Sequence, residues 1–189
     1  MKAVVIKEAG GPEKLIYQDV PTPEVRPGWT LIKVKGFGVN HSEIFTRKGL
    51  SPTVKFPRIL GIECVGVVAK TSAPDRLPVG QKVVSIMGEM GRAFDGSYAE
   101  YTLLPNDQVY PVKTNLDWTT LATIPETYYT AYGSLLNLKI RPGEHVLVRG
   151  GSSGVGAAFV NLAKALIPDV QLAGTTRSLE KRALLLQAG

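Results

Sequence analysis

Cysteine occurs once in the 189 residues, at Cys64. That single thiol excludes an intrachain disulfide and any zinc site built from several cysteines, and it suits a reducing compartment. Long apolar runs are missing too. No stretch reaches the roughly 18 consecutive apolar residues that a membrane-spanning helix needs, and the N-terminal MKAVVIKEAGG meets its first acid at Glu8 after too short an apolar segment for a secretory signal. A cytoplasmic protein without a membrane partner is therefore expected. Internal repeats, low-complexity tracts and flexible linkers are also absent. Net charge is +6 and the pI about 9.4, yet the basic residues are scattered. Without a basic stripe interleaved with aromatics, nucleic acid is not expected as a partner.

What is present divides at about Asn115. Before it, short apolar stretches such as KAVVIK, TLIKVKGFGV, ECVGVVAK and QKVVSIM alternate with glycine and proline, and 10 of the 13 prolines lie there. Turns spaced so closely leave room for a compact barrel of short strands and one short helix, from His41 to Lys48. From Leu116 to Asn137 apolar residues recur at helical spacing, and Pro125 opens a second helical segment. A buried strand is expected from His145 to Arg149, a second parallel strand from Val170 to Thr175, and a last helix with Ser178 as N-cap and Gly189 as its stop.

Between those strands, VLVRGGSSGVGAAFVNLAKAL reads as strand, glycine-rich turn and helix. With Gly151 as first position, GSSGVG keeps the outer glycines of the dinucleotide pattern, Gly151 and Gly156, and has Ser153 at the middle one. The first glycine would permit the tight turn and the last close packing of helix on strand, while the helix N-terminus favours an anion. The alternative is a tight connection with no ligand. At the end of the second strand, GTTRSLEK offers Thr175, Thr176, Arg177, Ser178 and Lys181 and no acid before Glu180. An acid there would bind the ribose hydroxyl of NAD, so NADP(H) is preferred. Here too a plainer alternative stands, with Thr176 and Ser178 capping the next helix and Arg177 solvated.

These segments, together with GVNHSEIFTRKG, ILGIECVGVV, VGQKVVSI, DGSYAEY and IPETYYTAYGSL, resemble in order and spacing the medium-chain dehydrogenase/reductases, in their zinc-independent quinone oxidoreductase branch. The resemblance implies a mixed β and α/β fold: a GroES-like β-barrel domain over 1–124, then a truncated Rossmann segment, βαβα, over 125–189. Substrate and nicotinamide would lie in the cleft between the domains. Zinc-dependent relatives have a cysteine where this chain has Asn40 and a histidine where it has Ile62, so no metal is expected, although His41 and Glu63 remain. Hydride transfer from NADPH to a quinone or an α,β-unsaturated carbonyl is the implied chemistry, with alcohol dehydrogenase-like ancestry.

By the same resemblance, Asn40 and Thr130 would act at the nicotinamide, and Gly151, Ser152, Ser153, Gly154, Val155, Gly156, Thr175, Thr176, Arg177, Ser178 and Lys181 would hold the cofactor. Phe45 stands where many quinone reductases have a tyrosine, so a hydroxyl is missing there. Asn40 has an alternative, an asparagine in a left-handed turn after Val39. A chain ending after LLLQAG could instead be a truncated, inactive form that keeps the GroES-like fold and binds nucleotide weakly. Its open sheet predicts a homo-oligomer, joined through the strand edge and the helix face around Phe159, Leu162 and Leu166.

Overall fold

The structure, a computed structural model, describes residues 1–188. Its contacts divide the chain into two units, Met1–Glu126 and Thr127–Gly189. Eight strands build the first: β1 (Lys2–Ile6), β2 (Ile16–Asp19), β3 (Trp29–Gly36), β4 (Arg58–Ile59), β5 (Glu63–Thr71), β6 (Lys82–Ile86), β7 (Tyr101–Pro105) and β8 (Tyr110–Pro111). They form two antiparallel sheets, ordered β2-β1-β4 and β7-β3-β5-β6-β8. A bridge between Ala3 and Ala99 joins them, and the Val4 N–H donates to the Tyr98 carbonyl at 2.8 Å.

The central strand β5 is apolar on both faces, because the sheet is covered on both sides there. Ile32, Cys64, Val68, Leu77, Val83, Met90, Leu104 and Val109 pack as its core. At Gly66 the β3 backbone comes so close that a Cβ would lie 2.3 Å from the Lys33 carbonyl oxygen. Register shifts in β3 at this point, so the glycine is what lets the sheet coil.

After β3 the chain turns into α1 (His41–Arg47), one residue short of the predicted helix. Asn40 at its N-cap and Glu43 three residues on make a capping box, and Arg47 closes the last turn. Helix α2 (Trp118–Ala122) starts at Asp117, whose side chain accepts the Thr120 N–H at 2.9 Å.

Most of α3 (Pro125–Leu138) belongs to the second unit. There β9 (His145–Val148) pairs in parallel with β10 (Gln171–Gly174), with α4 (Gly154–Leu166) between them in sequence and α5 (Arg182–Ala188) after them. Ala131, Leu135, Val148, Ala158, Phe159, Val160 and Ala163 form its core. Two expectations need correction here. The strand at His145 is covered on one face alone: Val148 is buried, but Leu147 is 65% exposed. Phe159 is buried in its own unit at 7% exposure, so it cannot serve as a surface for self-association, although Leu166 remains exposed. Gly189, the predicted helix stop, lies outside the described residues. Among those residues no helix is long and apolar enough to cross a membrane.

Candidate functional site

In the first unit, the end of β3, the start of α1 and the start of β5 bring two carboxyl groups under one asparagine. Asn40 has extended backbone, φ −104° and ψ 144°, which rules out the left-handed turn. Its N–H donates to Glu43 Oε2 at 2.7 Å and its Nδ2 donates to Glu63 Oε1 at 2.8 Å. Glu43 also accepts from the Ile62 N–H at 2.9 Å and from the Tyr98 hydroxyl at 2.5 Å. Glu63 Oε2 accepts from the Glu126 N–H at 2.8 Å. Both acids are buried, at 3% and 2% exposure. Gly38 makes room for them, since a Cβ there would sit 2.1 Å from Glu63 Oε1.

Burial pushes both carboxyl groups above their ordinary range against the pull of these hydrogen bonds, and the neighbouring Glu126 carboxylate adds to the rise. Burial, and then the hydrogen bond to Glu43, raise the Tyr98 hydroxyl. Burial pushes the Cys64 thiol up to about 12, so the one cysteine is not a nucleophile.

The raised Glu63 carries a pH dependence of definite sign. The folded protein holds its proton where the unfolded chain, at its ordinary value of about 4.5, has released it. This stability is complete below that value and is lost as pH rises through the raised one. Glu63→Gln removes the loss. Its amide can donate to Asn40 Oδ1 after a flip of the Asn40 amide while its oxygen still accepts from Glu126 N–H. The variant is expected to match the wild type in acid and exceed it in urea midpoint at neutral pH; an equal shortfall at both pH values would refute this account.

Helix α1 separates two cavities. One, of about 410 Å³, is bordered by Val4, Leu15, Phe37, Asn40, Glu43, Ile44, Arg47 and Tyr98. The other, of about 450 Å³, is bordered by Ser42, Phe45, Thr46, Ile62, Met87, Glu89 and Arg92. A larger one, about 510 Å³ beside Val20, Pro23 and Arg58, contains none of the predicted residues. Phe45, about half exposed, meets the His41 ring edge-on at 5.3 Å. The Ile62 side chain has no atom that can ligate a metal, and Asn40 spends its amide on Glu63. Among the described residues no three His, Cys, Asp or Glu side chains gather as a metal site.

The second unit assembles the glycine-rich turn at the carboxyl ends of β9 and β10. Here the roles of the first glycines shift by one position from those expected. Gly150, at φ +69°, makes the turn. Gly151 is instead the close-approach residue, since a Cβ there would lie 3.0 Å from Leu185 and 3.2 Å from the Gly174 Cα. Ser153 is the N-cap of α4, its hydroxyl accepting the Gly156 N–H at 3.1 Å. The Gly150 and Gly151 N–H groups go to Thr175 Oγ1 and carbonyl, both at 3.0 Å, and Ser152 Oγ lies 3.2 Å from Thr176 Oγ1.

Among the described residues, the N–H groups of Ser152, Gly154 and Val155 have no acceptor in the chain. Gly154 is exposed, with only the Thr127 methyl near its missing Cβ, at 3.7 Å. Open backbone donors at a helix start, without side-chain cover, fit a phosphate group. Arg177 and Lys181 are exposed just beyond β10. Ser178 holds the expected N-cap position of the following 3-10 turn but makes no side-chain cap; its own N–H goes to Thr176 Oγ1 at 3.3 Å. Thr130 is exposed on α3, its carbonyl accepting from Ser134. The structure thus gathers Gly151 to Gly156 with Thr175 and Thr176, and Asn40 with Glu63. Sequence reasoning missed Glu43 and Tyr98, although an acid three residues after an N-cap asparagine was a visible signal.

Comparison with known proteins agrees with this architecture. Residues 26–114 match the alcohol dehydrogenase GroES-like domain. The quinone oxidoreductase of Mus musculus is 35% identical over 197 residues, which is 100% of this chain and 56% of that protein. The solved quinone oxidoreductase of Coxiella burnetii superposes with a TM-score of 0.90 at 29% identity, over 100% of this chain and 60% of that one. A mycobacterial protein solved in complex with NADPH gives 0.87 at 31% identity, over 100% and 57%. The chain therefore spans a little over half the length of these relatives and carries the first part of their Rossmann domain. It belongs to the medium-chain dehydrogenase/reductase superfamily, on its quinone oxidoreductase-like branch.

Proposed function

We propose that the chain carries the NADPH-binding turn and the acceptor cavity of a zinc-independent reductase of quinones or α,β-unsaturated carbonyls. The observation that carries this reading is the set of open N–H donors at Ser152, Gly154 and Val155, followed by an acid-free strand end with Arg177 and Lys181 exposed. The turn would hold the pyrophosphate, and Arg177 and Lys181 the 2′-phosphate. NADPH, when bound, supplies the hydride. Phe45, Ile62 and Met87 offer an apolar wall against which a flat acceptor can lie and exclude water. An acceptor already electrophilic needs no metal to polarise it, which suits Asn40 and Ile62 at the two ligand positions.

Consumption of NADPH by the 189-residue chain with a simple quinone or enone tests the reading. Binding of NADPH without turnover would favour a nucleotide-binding form that performs no chemistry. For cofactor choice, Arg177→Ala is expected to weaken NADPH binding by about 10- to 100-fold and NADH binding hardly at all, because a charge-assisted bond to phosphate contributes roughly 1.5–3 kcal/mol. Equal losses for both nucleotides would remove Arg177 from the site.

A further inference from the structure

The cavity on the Phe45 side of α1 has a wall of unusual backbone. Met87, Gly88, Glu89 and Gly91 have φ values of 56°, 59°, 71° and 72°. Left-handed backbone at two residues with side chains is strained and persists where the surroundings hold it. They do so here. Met90 is fully buried in the core of the larger sheet, and a Cβ on Gly91 would lie 2.7 Å from the Gly61 carbonyl oxygen. The loop is thus pinned immediately after Glu89, and it delivers Arg92 to the cavity rim in a fixed place.

Arg92 is the cation of this cavity, and it has no anion of its own. Its Nε is buried without a hydrogen-bond partner. Among the described residues it forms no ion pair, not even with Glu89, three residues away on the same wall. Arg58 provides the contrast: its Nε is also buried without a partner, but its Nη1 bonds Asp95 Oδ1 at 2.9 Å. A buried guanidinium nitrogen without an acceptor costs stability and makes sense where a ligand completes it. Around it, Phe45, Leu50, Ile62 and Met87 are apolar.

We propose that Arg92 determines the specificity of this cavity by binding the carboxylate of a small acceptor whose body is flat and apolar. The proposal rests on the reading above only in taking this cavity as the acceptor site. The Glu89 and Glu126 carboxyl groups also border the cavity, so the general field does not favour an anion. Selectivity has to come from direct contact with the guanidinium, whose planar fork matches two carboxylate oxygens in a way an ammonium does not.

Equilibrium binding of trans-cinnamate and of its neutral isostere trans-cinnamamide to the 189-residue chain, followed by calorimetry, tests the proposal. Cinnamate should bind the wild type at least about 10-fold more tightly. Arg92→Met should bring cinnamate down to the level of the amide without changing the amide. Arg92→Lys should restore only part of the preference, and should serve in its place if the methionine variant does not fold. Thermal unfolding of Arg92→Met at or above the wild-type midpoint would show that the arginine is held for a ligand and not for the fold. Equal binding of acid and amide, a preference that survives Arg92→Met, or no binding of either compound would each overturn the assignment. A preference that follows Arg92 in a protein that never oxidises NADPH would overturn the proposed reductase and leave the carboxylate site standing.

Discussion

Glu43→Ala is expected to lower the stability of the first unit by about 4 kcal/mol. The carboxyl group accepts from Asn40 N–H, Ile62 N–H and the Tyr98 hydroxyl in a buried place. A buried donor left without an acceptor costs roughly 1–3 kcal/mol. Water entering the vacated space would meet part of that cost, and loss of a poorly solvated acid offsets some more, which sets the expectation toward the lower end of the summed range of roughly 3–9 kcal/mol. Against a typical total of about 5–15 kcal/mol, such a loss is large. Both tryptophans, Trp29 and Trp118, lie in this unit, so their fluorescence in urea follows its unfolding directly. Tyr98→Phe removes one donor and leaves two satisfied, so it should cost far less, about 1 kcal/mol. Near-wild-type stability of Glu43→Ala would mean that the three donors find other acceptors.

Gly156→Ala should cost the second unit about 2 kcal/mol and NADPH affinity at least tenfold. The added Cβ would lie 2.4 Å from the Gly150 carbonyl oxygen and 2.8 Å from the Gly151 Cα. Both are backbone atoms of the turn itself, so no side chain can swing away. Overpacking of this kind costs roughly 1–3 kcal/mol or more, which outweighs the gain of about 1 kcal/mol that alanine brings to a helix over glycine. The turn has to open, and the N–H groups of Gly154 and Val155 move from their present aim. Gly154→Ala is the control, since its Cβ would meet only the Thr127 methyl at an ordinary 3.7 Å. Amide hydrogen exchange along α4 and nucleotide titration distinguish the two variants. Indistinguishable behaviour would show that the close approach at Gly156 is not essential.

Local signals in the sequence served where local physics decides. The gap left between closely spaced turns placed α1 within a residue of its end, and Pro125 opened α3 as expected. The strand, turn and helix from His145 to Leu166 were legible for the same reason. Non-local pairing was not. Glu43 finds Ile62 19 residues away and Tyr98 55 residues away, and nothing in α1 names those partners. Two adjacent glycines, Gly150 and Gly151, look alike in sequence; only the backbone tells which turns and which receives Leu185. Leu147 is apolar in an apolar strand, so its exposure could not be read from the residue alone.

Helix α1 stands between two cavities and gives each a different set of residues: Asn40, Glu43, Ile44 and Arg47 to one, Ser42, Phe45 and Thr46 to the other. For a lineage exploring new acceptors this is a division of mutational risk. Exchanges at Ser42 or Phe45 reshape a cavity without disturbing the buried carboxyl groups on the opposite side. Exchanges at Glu43 strike the fold at once. A seven-residue helix can therefore drift quickly on one face and hardly at all on the other.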